Sequence, residues 1–109
     1  SVATNAWFLL ANALAVKVET DDATTDNDDN ATGTTLVTAT WHVFRVDCSE
    51  LTAIKFYIDG VDVTPEAMTL SAAAASTVVQ PYFRYMKASG ATFASVSLDY
   101  VRWWGLRTL

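Results

Sequence analysis

Thr40-Trp41-His42-Val43-Phe44-Arg45-Val46-Asp47-Cys48, followed by Ala53-Ile54-Lys55-Phe56-Tyr57-Ile58-Asp59-Gly60-Val61-Asp62-Val63, is the stretch on which the fold turns. Side chains alternate faces with a period of two in a strand, and both segments alternate. Over residues 40–47 the alternation sets His42, Phe44 and Val46, then Cys48, on one face and Trp41, Val43, Arg45 and Asp47 on the other. Over residues 53–59 it sets Ile54, Phe56 and Ile58 against Lys55, Tyr57 and Asp59. Asp59-Gly60 is a two-residue hairpin signal, because a type I′ turn needs positive φ at both central residues and Asp and Gly tolerate it. Residues 61–63 then return antiparallel, and Pro65, which lacks an N–H, ends that strand or places it at an edge.

The pattern extends in both directions. Residues 6–10 and 14–20 are two further expected strands, with Asn12 as the turn between them. Residues 78–86 and 92–104 are expected as a closing hairpin joined through Lys87, Ser89 and Gly90. In its last strand Val96, Leu98 and Tyr100 alternate with Ser97, Asp99 and Val101. Fifteen Thr and twelve Val, with many aromatics, suit a pleated, half-buried surface. Two segments depart from the pattern. Residues 71–76 hold four consecutive alanines, too short for a stable helix, and are expected as a loop or one helical turn. Residues 21–35 carry five aspartates and Gly33 without apolar periodicity, and are expected as a long, exposed acidic loop. No helical crossover separates the seven or eight expected strands. The fold class is therefore all-β, an antiparallel β-sandwich or jelly roll, spread over a single domain of residues 1–109.

Composition narrows the function classes. A chain of 109 residues and 11.9 kDa is one domain, and 51% apolar against 17% charged residues excludes disorder of the whole chain. A net charge of −5 with seven basic residues argues against nucleic acid, which needs clustered Lys and Arg. No run of 18 apolar residues is present, so no conventional membrane span is expected. Cys48 is the one cysteine, which leaves neither an internal disulfide nor a thiolate zinc cluster, and it is expected as a buried or half-buried small hydrophobe in a strand.

The acidic tract is the sharpest chemical candidate, with Glu19, Asp21, Asp22, Asp26, Asp28 and Asp29 supplying the oxygens that hard cations prefer. Asp26, Asp28 and Asn30 have the spacing that opens a calcium loop and are the candidate ligands. The diagnostic Gly and Glu positions of that loop are filled by Ala31 and Val37. Catalysis finds less support. Outside the tract the acids are dispersed, which does not suit a paired-carboxylate glycosidase. His42 is the one imidazole, and its expected state is packed or hydrogen-bonded in its strand. No enzyme activity is expected. Neighbouring residues on a strand point opposite ways, so one of Trp103 and Trp104 faces outward, and beside Arg102 and Arg107 it has the composition of an interface anchor.

Trp41-His42-Val43-Phe44-Arg45-Val46, Ile54-Lys55-Phe56-Tyr57-Ile58-Asp59-Gly60 and Ser97-Leu98-Asp99-Tyr100-Val101-Arg102-Trp103-Trp104 resemble, in this order, motifs of the concanavalin A-like (laminin-G/lectin-glucanase) jelly-roll superfamily, and Pro81-Tyr82-Phe83 fits as well. The resemblance covers residues 39–107. The superfamily hosts lectins, glycosidases, adhesion modules and bacteriophage virion proteins, so its fold does not by itself assign a function. Positions matching the catalytic carboxylates are missing. The Ala/Thr/Ser-rich body is similar to phage capsid-decoration, head-fibre and tail proteins. What the resemblance implies is a non-enzymatic virion structural protein, exposed on the particle, docking on a protein lattice through aromatic and Arg surfaces. It implies a homo-oligomer, a trimer by preference, in contact with other virion proteins. The alternative is a lectin-like carbohydrate-binding module assisted by calcium. The chain is shorter than the usual domain, which implies a truncated jelly roll or one completed by neighbouring subunits.

Overall fold

A computed structural model of the chain describes residues 4–76, 81–85, 90 and 95–104. The chain divides into two compact units, residues 1–77 and 78–109. The first unit holds two antiparallel three-stranded sheets and, among the described residues, no α-helix.

The first sheet runs β1 (Asn5–Leu10), β2 (Ala15–Asp21) and β3 (Asp26–Thr35), in that spatial order. A one-turn 3₁₀ segment, Asn12–Leu14, joins β1 to β2, with Ala13 and Leu14 in the left-handed region. Asn12 therefore begins the turn, as expected. In β2 every second residue points inward: Val16, Val18 and Thr20 are buried, and Asp22, just past the strand, continues the row.

The second sheet runs β4 (Phe44–Asp47), β5 (Lys55–Ile58) and β6 (Val61–Asp62). Ile54, Phe56 and Ile58 are buried, as their alternation requires. Asp59 and Gly60 take φ of 51° and 80°, the positive values of the expected hairpin turn. Val18 of the first sheet shares one core with Ile54 and Phe56 of the second and with Met68 and Leu70 of the segment that follows β6. Ala6, Phe8, Val46, Leu51, Val63 and Ala74 pack around it. Phe8 joins the sheets directly, edge-on to Phe44 at 5.0 Å and to Phe56 at 5.2 Å between ring centroids.

Four expectations are corrected. Residues 26–35 of the acidic tract are a ten-residue strand paired with β2, not a loop. Its inward side chains Asn27, Asn30, Thr32 and Thr34 are polar, so apolar periodicity is absent although the ladder forms. The strand expected over 40–47 begins only at Phe44, and Cys48 lies beyond its end, exposed. The closing hairpin is not formed among the described residues of the second unit: 81–85 and 95–104 belong to no strand, and the remainder of the expected pair lies outside the described residues. Alternation makes a segment competent for a sheet, but a strand exists only where a neighbour accepts its N–H and C=O groups. Finally, six strands form among the described residues, where seven or eight were expected over the whole chain. Residues 72–76 are a short 3₁₀ segment, in keeping with one helical turn.

Candidate functional site

The acidic end of the β2–β3 hairpin contains two carboxylate environments of opposite character. Asp22 Oδ1 accepts the backbone N–H groups of Thr24 and Thr25 at 2.8 and 2.6 Å, which closes the turn, while Oδ2 accepts the N–H of Ser71 at 2.6 Å. Three N–H donors, Ser71 foremost, hold its pKa down at about 2. Beside it, the Asn27 side-chain amide donates to Thr20 Oγ1 at 3.0 Å and to the Thr69 carbonyl at 3.3 Å. Asp22 and Asn27 thus tie the first sheet to the segment behind β6.

Asp28 is the opposite case. Val18 stands across from Asn30 and Thr20 across from Asn27, so Asp28 and Asp29 together face Glu19 in a β-bulge, with Asp29 at φ 52°. The bulge gathers Asp28, Asp26, Glu19 and Asp21. A hydrogen bond shared with the Asp26 carboxyl, then desolvation and the charges of Asp26, Glu19 and Asp21, push Asp28 up to about 6.

The expected calcium ligands are therefore distributed along a strand. Asp26 and Asp28 lie in the repelling cluster, whereas Asn30 is half-buried on the inner side of β3. Among the described residues no group of three or more His, Cys, Asp or Glu side chains has the arrangement to hold a metal ion. A calcium loop wraps its ligands around a point, and an extended strand spreads them along a line.

His42 lies just before β4, at the β5–β6 turn. Its Nδ1 is 2.7 Å from Asp59 Oδ2, and Asp59 Oδ1 accepts the Val43 N–H at 2.8 Å. The Asp59 N–H returns to the Val43 carbonyl at 2.8 Å. The Val43 N–H first, and His42 second, lower the Asp59 pKa. The imidazole is hydrogen-bonded, as the sequence led us to expect. Its Nε2 has no hydrogen-bond partner among the described residues. A half-open cleft of about 320 Å³ beside Ile54 is bordered by Lys55, Thr64, Glu66 and Met68.

The interface candidates lie in the second unit. Trp103 and Trp104, of which at least one was expected not to face inward, are 62% and 65% exposed. Arg102 beside them is exposed as well, and Arg107 lies outside the described residues. Tyr82, Phe83, Val96, Leu98, Tyr100 and Val101 of the same unit are exposed as well.

Sequence reasoning did not single out Asp22. Two signals were available: it extends the inward row of Val16, Val18 and Thr20, and it precedes Thr24-Thr25 at the spacing of an Asx turn. Comparison with known proteins finds no match to this chain among family models, curated proteins or solved structures.

Proposed function

We propose that this chain is a non-enzymatic structural protein that works by assembly, a virion component of the capsid-decoration, head-fibre or tail kind, docking through the exposed aromatic and Arg side chains of residues 81–85 and 95–104. The observation that carries the reading is the number of exposed large apolar side chains in the second unit: Tyr82, Phe83, Val96, Leu98, Tyr100, Val101, Trp103 and Trp104. Monomeric proteins rarely leave so many large apolar side chains in water, and aromatics with an Arg neighbour are the side chains that anchor protein interfaces. The virion context rests on the resemblance of three motifs to concanavalin A-like phage proteins. Co-purification tests it: the chain is expected in purified particles at a fixed stoichiometry. Its absence from particles, together with a stable monomer in solution, overturns the reading.

A carbohydrate-binding module is the second reading, favoured by Trp41, a residue 69% exposed next to His42 of the His42–Asp59 pair. An exposed indole can stack on the apolar face of a sugar. Binding across a glycan array that disappears in Trp41→Ala supports it, and silence across the array removes it.

A further inference from the structure

The turns and register of the two sheets gather six strand ends on one side of the first unit. In the first sheet β1 ends at Leu10, β2 begins at Ala15, and Thr35, the last residue of β3, pairs with Ala15. In the second sheet Phe44 opens β4 and pairs with Ile58, the last residue of β5, which pairs in turn with Val61. Phe8, two residues before Leu10, touches Phe44, so these two sets of ends lie together. The opposite ends are joined by the Ser71–Asp22 and Leu70–Leu51 hydrogen bonds. Among the described residues of the first unit, the large apolar side chains that stay exposed are Leu10, Val37, Trp41, Val43, Phe44 and Val61. All six belong to the first of these ends or to the connection 36–43 that runs from Thr35 to Phe44.

Two further observations set this end apart. Residues 10–16, 35–44 and 58–61 contain no Lys or Arg and one acid, Asp59, which His42 Nδ1 meets at 2.7 Å. Residues 1–77 carry eleven acidic and three basic side chains, and six of the acids, Glu19, Asp21, Asp22, Asp26, Asp28 and Asp29, crowd around the β2–β3 turn at the opposite end. Four of the five described non-glycine residues with positive φ, Ala13, Leu14, Ala39 and Asp59, also lie at the apolar end. Left-handed backbone is costly for residues with a Cβ and concentrates where a surface is held in shape for binding.

We infer that the apolar end is a self-association face, where the same end of a second copy docks about a two-fold axis to form a closed dimer. It uses first-unit side chains alone, whereas the assembly reading rests on those of the second unit. Charge selects this occupant. A nearly uncharged apolar surface fits a partner of the same character, and a second copy supplies one at the same concentration as the site. Two copies that meet here bury apolar side chains against each other and turn their acidic ends away. The nine steps from Asp26 to Thr35 span about 30 Å at roughly 3.3 Å per residue. Screening in physiological salt acts over about 8 Å, so the acidic turns do not repel across the joint. An approach through the opposite ends would instead set six acids against six.

Sedimentation velocity on the intact chain tests this, with circular dichroism to establish that each variant is folded. The wild-type chain is expected to form a dimer that holds or tightens as salt is added, since the net charges of the two copies repel. Val37→Asp with Val61→Asp places like charge on both sides of the joint, at residues 63% exposed each, and is expected to weaken the dimer at least about tenfold. Ala23→Asp with Thr24→Asp adds the same charge at the β2–β3 turn and is expected to dimerise as the wild type does. Trp103→Ser with Trp104→Ser is expected to dimerise as well. A wild-type chain that stays monomeric at high salt overturns the dimer, as does a Val37→Asp, Val61→Asp variant that associates like the wild type. Dimerisation lost in the Trp103→Ser, Trp104→Ser variant instead moves self-association to the second unit, which overturns this face and leaves the assembly reading in place. A monomeric chain that enters particles only with Val37 and Val61 intact gives this end to another virion protein and overturns the second copy as its occupant. Absence from particles of a chain that dimerises through this end supports the dimer and removes the assembly reading.

Discussion

Asp22 Oδ2 accepts the backbone N–H of Ser71 at 2.6 Å across 49 residues of chain, and so fastens the turn of the β2–β3 hairpin to the segment that closes the core behind β6. The same carboxylate organises its own turn through Thr24 and Thr25. One buried side chain therefore serves as a local turn former and as a long-range clasp.

The clasp gives acid stability a definite sign. Asp22 has a pKa of about 2 folded against an ordinary 3.8, so it contributes stability above the ordinary value and loses it as pH falls toward 2. Asp22→Asn keeps the shape but not the charge. It is expected to be less stable than wild type at neutral pH, with the difference closing below about pH 3, as followed by circular dichroism in urea at several pH values.

Asp28 has the reverse dependence. Its folded pKa of about 6 lies above the ordinary 3.8, so its contribution is complete below 3.8 and is lost as pH rises through 6. Asp28→Asn removes the repulsion from Asp26, Glu19 and Asp21. Thermal melts are expected to show the variant more stable than wild type at pH 8, with the gap vanishing near pH 4. A gap that persists unchanged at pH 4 contradicts the carboxylate cluster.

Phe56 is fully buried and packs edge-on against Phe8, so it carries the contact between the two sheets. Phe56→Ala removes a whole aromatic side chain from the core and is expected to cost roughly 3–5 kcal/mol in urea unfolding. Phe44→Ala is expected to cost much less, because Phe44 is still 43% exposed despite its contact with Phe8.

Gly60 has a φ of +80° and open space where a Cβ would stand. The cost of Gly60→Ala is therefore conformational rather than steric against neighbours, about 1–2 kcal/mol. Equilibrium unfolding checks the value. Lengthening the side chain beyond alanine is expected to add little, since nothing crowds the site.

How much of this was legible beforehand follows from which side chains face inward. β5 was readable from the alternation of Ile54, Phe56 and Ile58, and its turn from Asp59-Gly60, because both signals are local and apolar burial drives them. β1 and β2 were readable for the same reason. β3 was not, because Asn27 and Thr32 face inward and are satisfied by hydrogen bonds to Thr20, the Thr69 carbonyl and the Val16 carbonyl, partners that lie 7, 42 and 16 residues away. Hydropathy cannot register a strand whose inner face is polar and paired.

The sequence by itself determined the all-β class, the Asn12 and Asp59-Gly60 turns and the apolar faces of β2 and β5, since each depends on residues within a few positions of one another. Only the tertiary structure decided that residues 26–35 of the acidic tract form a strand, that Asp22 clasps Ser71, that Asp26 and Asp28 share a crowded bulge, and that residues 95–104 belong to no strand among the described residues. Those outcomes depend on which backbone donors and acceptors meet across the chain. Backbone hydrogen bonding is common to every residue type, so the identities of the side chains do not announce it.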